Sequence, residues 1–313
     1  MNKVEPTNPN LEFEVQNAFR IARSDQPSGS VATYIPELAT VNPDLMALAV
    51  CDGQGHVYSA GDDTHEFTVQ SVSKVFSLAL ALEHRGKSVY DIVGYEPTGN
   101  PFFSMLPLES ERGKPRNPFV NTGAIAVSSM IPGPDAQTKY QAFLDFLRNV
   151  SDGHTFQIDE ATYRSESDTG YRNRAMANFL KQYGWIDDVD TAVESYFMHC
   201  STLVNVRQLA RLGLFLAFRG KDPVTGARIL DEESCRSIVT LMTTCGTYDH
   251  AGRVAIEIGI PCKSGVSGGI LAIVPGSMSI AAFSPRLAEH GNSVAGMRML
   301  QLLSESLELS LFQ

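Results

Sequence analysis

Gln70-Ser71-Val72-Ser73-Lys74-Val75-Phe76-Ser77-Leu78-Ala79-Leu80-Ala81-Leu82 reads as a helix that carries chemistry at its first turn. From Val75 to Leu82 the run is apolar apart from Ser77 and free of Gly and Pro, which predicts an amphipathic helix facing the core. Ser71 and Lys74, three residues apart, then share one face, with the hydroxyl within reach of the amine. The dipole at a helix start favours developing negative charge there. A serine hydroxyl is a weak nucleophile until a base takes its proton, and a desolvated lysine can be that base. Ser-x-x-Lys alone is common, however, and a capping serine followed by an ordinary lysine explains it equally well.

At 313 residues the chain is long enough to bury a sizeable core. Hydrophobic content of 43% and charged content of 19% are those of an ordinary water-soluble protein. A net charge of −10 without any Lys/Arg-dense stretch argues against nucleic acid and anionic membrane as partners. The seven histidines lack His-x-x-His spacing and the cysteines lack Cys-x-x-Cys spacing, so no metal site is expected. Five widely spaced cysteines, an odd number, fit free thiols in a reducing compartment. The first eight residues have no apolar stretch of the signal-peptide kind, and no run approaches the roughly 20 apolar residues of a membrane span. These features together predict a cytoplasmic protein.

Outward from the Ser71 helix, residues 11–23 form an amphipathic pattern, and strands are expected at 46–51, 56–59 and 66–69. Asp52-Gly53-Gln54-Gly55 supplies the hairpin turn between the first two. Residues 88–135 are punctuated by Gly and Pro and read as a long irregular stretch of functional character. Helices are expected at 137–149, 166–182, 188–200, 204–219 and 231–243. Strand character returns from Gly265 to Phe283, and Ser293 to Leu309 closes the chain as a helix. Strands from both ends thus enclose a helical block. The fold class is α+β: an antiparallel sheet flanked by terminal helices, with an all-helical part inserted. We expect a single catalytic domain over 1–313, its α/β part at about 11–75 and 245–313 and its mainly helical part at about 76–244.

Three further elements bear on the opening motif. Lys263-Ser264-Gly265 is a Lys-Ser/Thr-Gly triplet entering a strand, the usual companion of Ser-x-x-Lys nucleophiles, although a plain strand-entry turn has the same look. Glu166 and Asn173 are seven apart, and on one continuous helix they share a face. A carboxylate beside a carboxamide suits the polar head of an amino acid, and a solvated helix start capped by Ser165 suits the pattern as well. Tyr34, Tyr196 and Tyr248 are the tyrosines of interest. Tyr248, in a polar turn before Lys263, can relay a proton if a neighbouring ammonium lowers its pKa. Most tyrosines, though, are packing residues with a hydrogen-bonded tip.

Taken together, several segments resemble the serine-dependent glutaminases of β-lactamase-like and transpeptidase-like fold. They are Tyr34 to Leu38, Gln70 to Lys74, Asn117 to Ile125, Ser165-Glu166 with Arg172-Asn173, and Cys262 to Gly269. The resemblance runs from about residue 11 to the C-terminus and is to the short bacterial form, without ankyrin repeats. It implies hydrolysis of L-glutamine to L-glutamate and ammonia without a cofactor, by a homodimer or homotetramer. Position by position, it implies Ser71 as nucleophile, Lys74 as its base, Tyr248 as proton shuttle and Tyr34 as a tyrosine near the serine. Asn121, Glu166, Asn173, Tyr196 and Tyr248 fall on substrate-binding positions, with Val266 contributing its backbone N–H.

One rival keeps the fold and changes the substrate: a β-lactamase-like enzyme or another serine amidohydrolase. Such penicillin-interacting enzymes act outside the cytoplasmic membrane and need an export signal. Nitrocefin turnover separates the two. A non-catalytic glutamine sensor is the other rival, but a sensor needs no nucleophile–base pair.

Overall fold

The computed structural model describes residues 9–25, 28–33, 35–99, 104–105, 108–109 and 111–312. Tyr34 therefore lies outside the described residues. The helices are α1 (Pro9–Ser24), α2 (Ser73–Arg85), α3 (Val89–Ile92), α4 (Asn121–Met130), α5 (Ala136–Val150) and α6 (Glu160–Thr169). They continue with α7 (Tyr171–Gln182), α8 (Val189–Cys200), α9 (Val206–Ala217), α10 (Glu232–Cys245), α11 (Ala251–Glu257) and α12 (Val294–Leu307). The strands are β1 (Ala47–Asp52), β2 (Val57–Gly61), β3 (Phe67–Thr68), β4 (Leu203–Val204), β5 (Cys262–Ser264), β6 (Gly269–Val274) and β7 (Met278–Phe283).

Five strands make one antiparallel sheet in the order β2-β1-β7-β6-β5, so the N-terminal hairpin is completed by strands from the far end of the chain. The period-2 alternation of a strand sends neighbouring residues to opposite faces. Ala47, Ala49, Cys51, Leu271, Ile273, Ala281 and Phe283 face the core shared with the helical block. Leu48, Val50, Ile270, Ala272, Ile280 and Ala282 face a second core. α1 and α12 pack on each other and cover that second face, while α9 lies across β1, β6 and β7 on the first. Both faces are buried, which is why these strands read as nearly continuous apolar runs. The expected α+β layering is present. β3 departs from expectation by pairing with β4 in a separate two-stranded sheet instead of joining the main one.

Inside the helical block, α2 runs among α4, α5, α8 and α10. Every residue from Ser73 to Leu82 is buried, as expected of a core helix, and only the last turn, Glu83 to Arg85, reaches solvent. Aspartate or asparagine caps start several of the others. Asp135, Asp159, Asp188 and Asp231 each accept from backbone N–H groups of the first turn, and Asn205 forms a capping box with Gln208. The cap of α6 is therefore Asp159 and not Ser165. Residues 121–130, read as irregular from the sequence, form the buried helix α4. Among the described residues no helix is long and apolar enough to cross a membrane. All five cysteines are buried free thiols.

His199 sits at the centre of this block, 0% exposed. Ser77 and Ser128 hydroxyls lie 3.2 and 3.4 Å from its Nδ1 and that of Ser195 lies 3.4 Å from Nε2. Burial, with the Lys139 charge second, pushes the imidazole from 6.5 down to about 3, so it stays neutral in the fold. In the unfolded chain it takes a proton near 6.5. Its contribution is complete above that pH and is lost as pH falls from there towards 3, at up to ~1.4 kcal/mol per pH unit. Urea unfolding at pH 7 and pH 5, as approximate test points, should show this loss. His199→Gln, which cannot titrate, should flatten the dependence; an unchanged slope would assign the acid sensitivity to other groups.

Candidate active site

β3 delivers the chain to a tight turn, Gln70–Val72, that runs straight into α2. Gln70 adopts a left-handed backbone, φ +46°, which costs a non-glycine residue on the order of 1–3 kcal/mol. Such strain persists only where the surroundings enforce it, and here it falls on the residue preceding Ser71. The Ser71 side chain is buried, with its residue 5% exposed.

Lys74 follows one turn later and is 2% exposed. Its Nζ donates to Asn121 Oδ1 at 2.7 Å and to the Phe119 carbonyl at 3.1 Å, and lies 5.7 Å from the centre of the Tyr196 ring. Asn117 sets up that carbonyl, because its Oδ1 accepts from the Phe119 and Val120 N–H groups at 3.0 and 3.1 Å and fixes the bend into α4. Burial lowers the Lys74 ammonium to about 8, against upward pulls from Cys200 and Glu166. A lysine at that pKa exchanges its proton near neutral pH.

Asn121, first residue of α4, is the hub. Its Oδ1 also accepts from the Tyr196 hydroxyl at 3.3 Å, and its Nδ2 donates to Asn173 Oδ1 at 3.0 Å. Glu166 and Asn173 do not share a helix face as expected. The helix breaks at Gly170, which places Glu166 on α6 and Asn173 on α7. Both still reach the same site. Burial raises the Glu166 carboxyl to about 8, opposed by the Lys74 charge and by a hydrogen bond with Gln70. Its Oε2 is buried without a hydrogen-bond partner among the described residues. A buried acceptor left open in this way has a donor still to receive.

Across the serine, β5 presents Lys263, 0% exposed, whose Nζ donates to the Ser264 carbonyl at 2.6 Å and lies 4.7 Å from the centre of the Tyr248 ring. Burial, then the charge of Lys74, pushes its ammonium well below the ordinary lysine range. Tyr248 hydrogen-bonds Ser71 and donates to the Ser264 carbonyl at 3.3 Å. The expectation that a neighbouring ammonium lowers its pKa is overturned: burial pushes the phenol up to about 12, so it is held protonated. A Cβ on Gly265 would lie 3.0 Å from the Val69 carbonyl and 3.4 Å from the Ser71 nitrogen. Glycine lets the strand exit pass close to the serine turn with least crowding. A cavity of about 670 Å³, bordered by Gly29, Ala32, Leu287 and His290, opens onto Tyr248 and Val266.

Ser71, Lys74, Asn121, Glu166, Asn173, Tyr196, Tyr248 and Val266 are thus gathered from separate segments, and Tyr34 is the one expected residue outside the description. The sequence alone assigns no role to Gln70 and does not show that Lys263 is fully enclosed against the Tyr248 ring. Nothing local marks Gln70, since left-handed backbone is a habit of Gly, Asn and Asp. The Lys-Ser-Gly triplet did mark Lys263, but its stacking on Tyr248 exists only once α10 and β5 meet. The arrangement offers a hydroxyl, a lysine of low pKa, a phenol to pass a proton and an open carboxylate for a cationic head.

Comparison with known proteins agrees over most of the chain. The family model described as glutaminase matches residues 29–312. A glutaminase of Methylobacterium radiotolerans is 47% identical over 292 residues, 93% of this chain and 94% of that one. Among solved structures, the probable glutaminase ybaS superposes with a TM-score of 0.92 at 40% identity, covering 98% of this chain and 100% of its own. A probable glutaminase from Bacillus subtilis complexed with 6-diazo-5-oxo-L-norleucine superposes with a TM-score of 0.89 at 32% identity, covering 98% and 99%.

Proposed function

The chain belongs to the glutaminase family of amidohydrolases, and from that premise we propose that it hydrolyses L-glutamine through an acyl-enzyme on Ser71. Lys74 takes the Ser71 proton as Oγ attacks the δ-carboxamide carbon. The oxyanion is met by the backbone N–H groups of Ser71 and Val266, each such donor being worth on the order of 10²–10³ in rate. Tyr248, protonated and bonded to Ser71, passes a proton to the departing nitrogen, which leaves as ammonia. Lys74 then returns its proton to Tyr248, water attacks the γ-glutamyl ester, and the freed Lys74 amine takes the water proton and hands it to Ser71 Oγ as glutamate leaves. Asn121, Asn173 and Tyr196 orient the amino-acid head. Every proton in this scheme is moved by a side chain of the protein.

The observation that carries this reading is Glu166, a buried carboxyl with an oxygen lacking a hydrogen-bond partner among the described residues, close enough to Lys74 to feel its charge. The α-ammonium of glutamine fills that vacancy and draws the carboxyl into its ionised form. 6-Diazo-5-oxo-L-norleucine, bound by the Bacillus subtilis relative, has the same amino-acid head and a carbonyl where glutamine has its side-chain carbonyl. We take the chain as one catalytic domain acting in the cytoplasm, and as a homodimer or homotetramer, the last resting on family resemblance alone.

Ammonia release from free glutamine, asparagine and N-acetylglutamine tests the reading. Acetylation removes the ammonium and leaves Glu166 buried against an amide, so kcat/KM should fall by about 10⁴-fold, as for other substrates that strand a buried polar partner. Asparagine, one methylene shorter, should lose about 10- to 200-fold. Equal turnover of glutamine and its N-acetyl derivative would take Glu166 out of head recognition.

A further inference from the structure

α6 and α7 are joined by Gly170 alone, and α8 packs against both. A Cβ on Gly170 would strike the Phe197 ring at 2.4 Å, so the break is built around α8. A polar cluster spans the break. Arg174 on α7 reaches Glu194 on α8, Nη2 to Oε1 2.5 Å, and donates to the hydroxyl and carbonyl of Ser167 on α6 at 3.0 and 3.3 Å. Glu194 Oε2 accepts from the Tyr163 hydroxyl at 2.8 Å, and the Ser167 hydroxyl lies 3.2 Å from both Glu194 oxygens. The Arg174 guanidinium stands 5.6 Å from the centre of the Phe197 ring.

None of these groups enters the proposed chemistry, yet three of them lie within two residues of one that does. Ser167 follows Glu166, Arg174 follows Asn173, and Glu194 is two residues before Tyr196. We propose that the Arg174–Glu194 pair is a positioning clamp for the amino-acid head of the substrate. It fixes the angle across the Gly170 break and thereby the mutual placement of Glu166, Asn173 and Tyr196. Two helices joined by one non-helical residue would otherwise hinge, and a head-binding set split between them would lose its fit. An arginine suits the task because its planar fork serves a carboxylate and a second acceptor at once. The inference rests on the reading of Glu166 and Asn173 as head-binding residues.

Glu194→Gln removes the charge and keeps the shape. Because the head does not react, its loss of fit falls on uniform binding: KM for glutamine should rise about tenfold while kcat stays within about twofold. Tyr163→Phe, which removes a single hydroxyl from the clamp, should raise KM about threefold by the same logic and serves if Glu194→Gln does not fold. Thermal unfolding is measured alongside, and Glu166→Gln is the reference. A melting temperature that falls with KM unmoved in both clamp variants overturns the clamp as a mere structural tie, as does a fall in kcat with KM unmoved. If Glu166→Gln itself leaves KM unmoved, the head assignment fails first and the clamp fails with it.

Discussion

Ser71→Ala should release ammonia from glutamine at a rate lower by about 10⁴–10⁶ in kcat, the usual scale for loss of a catalytic nucleophile. The change should leave the fold within about 1 kcal/mol of the parent, because one oxygen is removed from a tightly enclosed turn whose backbone partners remain. A second readout is independent of turnover. 6-Diazo-5-oxo-L-norleucine is a diazoketone that alkylates an activated nucleophile with loss of N₂, so intact-mass measurement should find a stoichiometric adduct on the parent protein and none on Ser71→Ala. Near-parental ammonia release by the variant, or an adduct mapped elsewhere, would move the nucleophile away from this turn. Lys74→Met should behave similarly, since the hydroxyl then has no base, although the reagent would still bind.

Across pH, kcat/KM should climb from acid towards neutrality and level off above about 8. The sign follows from the two buried groups whose free-enzyme forms govern this ratio. Burial lowers Lys74 to about 8, and its working form is the neutral amine, present above that value. Burial raises Glu166 to about 8, and its working form is the carboxylate, also present above that value. Both needed forms are the deprotonated ones. Below pH 7 the ratio should therefore fall by up to about 100-fold per unit, a slope of two on logarithmic axes. The two groups feel each other's charge, so the midpoints belong to the pair. Glu166→Gln removes one titration and should halve the slope while raising KM. A slope of two that persists in Glu166→Gln would assign the second proton to another group.

Much of the fold is written in local patterns. The apolar run after Lys74, the Asp52–Gly55 turn and the alternating strands near the C-terminus each declare themselves within a dozen residues. The order of strands then implies that the two ends of the chain meet, and β1 does pair with β7. Elements decided by distant partners escape such reading. α4 is hidden because Asn121-Thr122-Gly123 looks like a turn, and only the packing of α2 and α8 around it makes a helix there. β3 and β4 have two residues each, too few to show a period. The break at Gly170 sits against the Phe197 ring, a partner that no neighbouring residue announces.

The site divides in the same way. The serine, the lysine and the Lys-Ser-Gly triplet stand out because their chemistry is tied to short spacings. The seven-residue spacing of Glu166 and Asn173 does not put them on one face, since they lie on different helices, yet Asn173 still meets Asn121. Residue identity gives the kind of group, and burial gives its pKa. Tyr248 shows the difference, with a phenol raised by enclosure where a nearby cation alone would lower it. The strain at Gln70 is equally a product of its surroundings, imposed from outside on a residue with no preference for it.

Lys74 and Lys263 stand out for what they imply under selection. Both are enclosed almost completely, and neither ammonium is within ion-pairing distance of a carboxylate among the described residues. Enclosing a charge without a counter-ion is costly, and sites kept for function in this way are where stabilising substitutions cost activity. A laboratory evolution campaign scored on heat tolerance alone would therefore drift towards methionine or leucine at these two positions. Its winners would be robust and inert, so turnover has to be scored in every round.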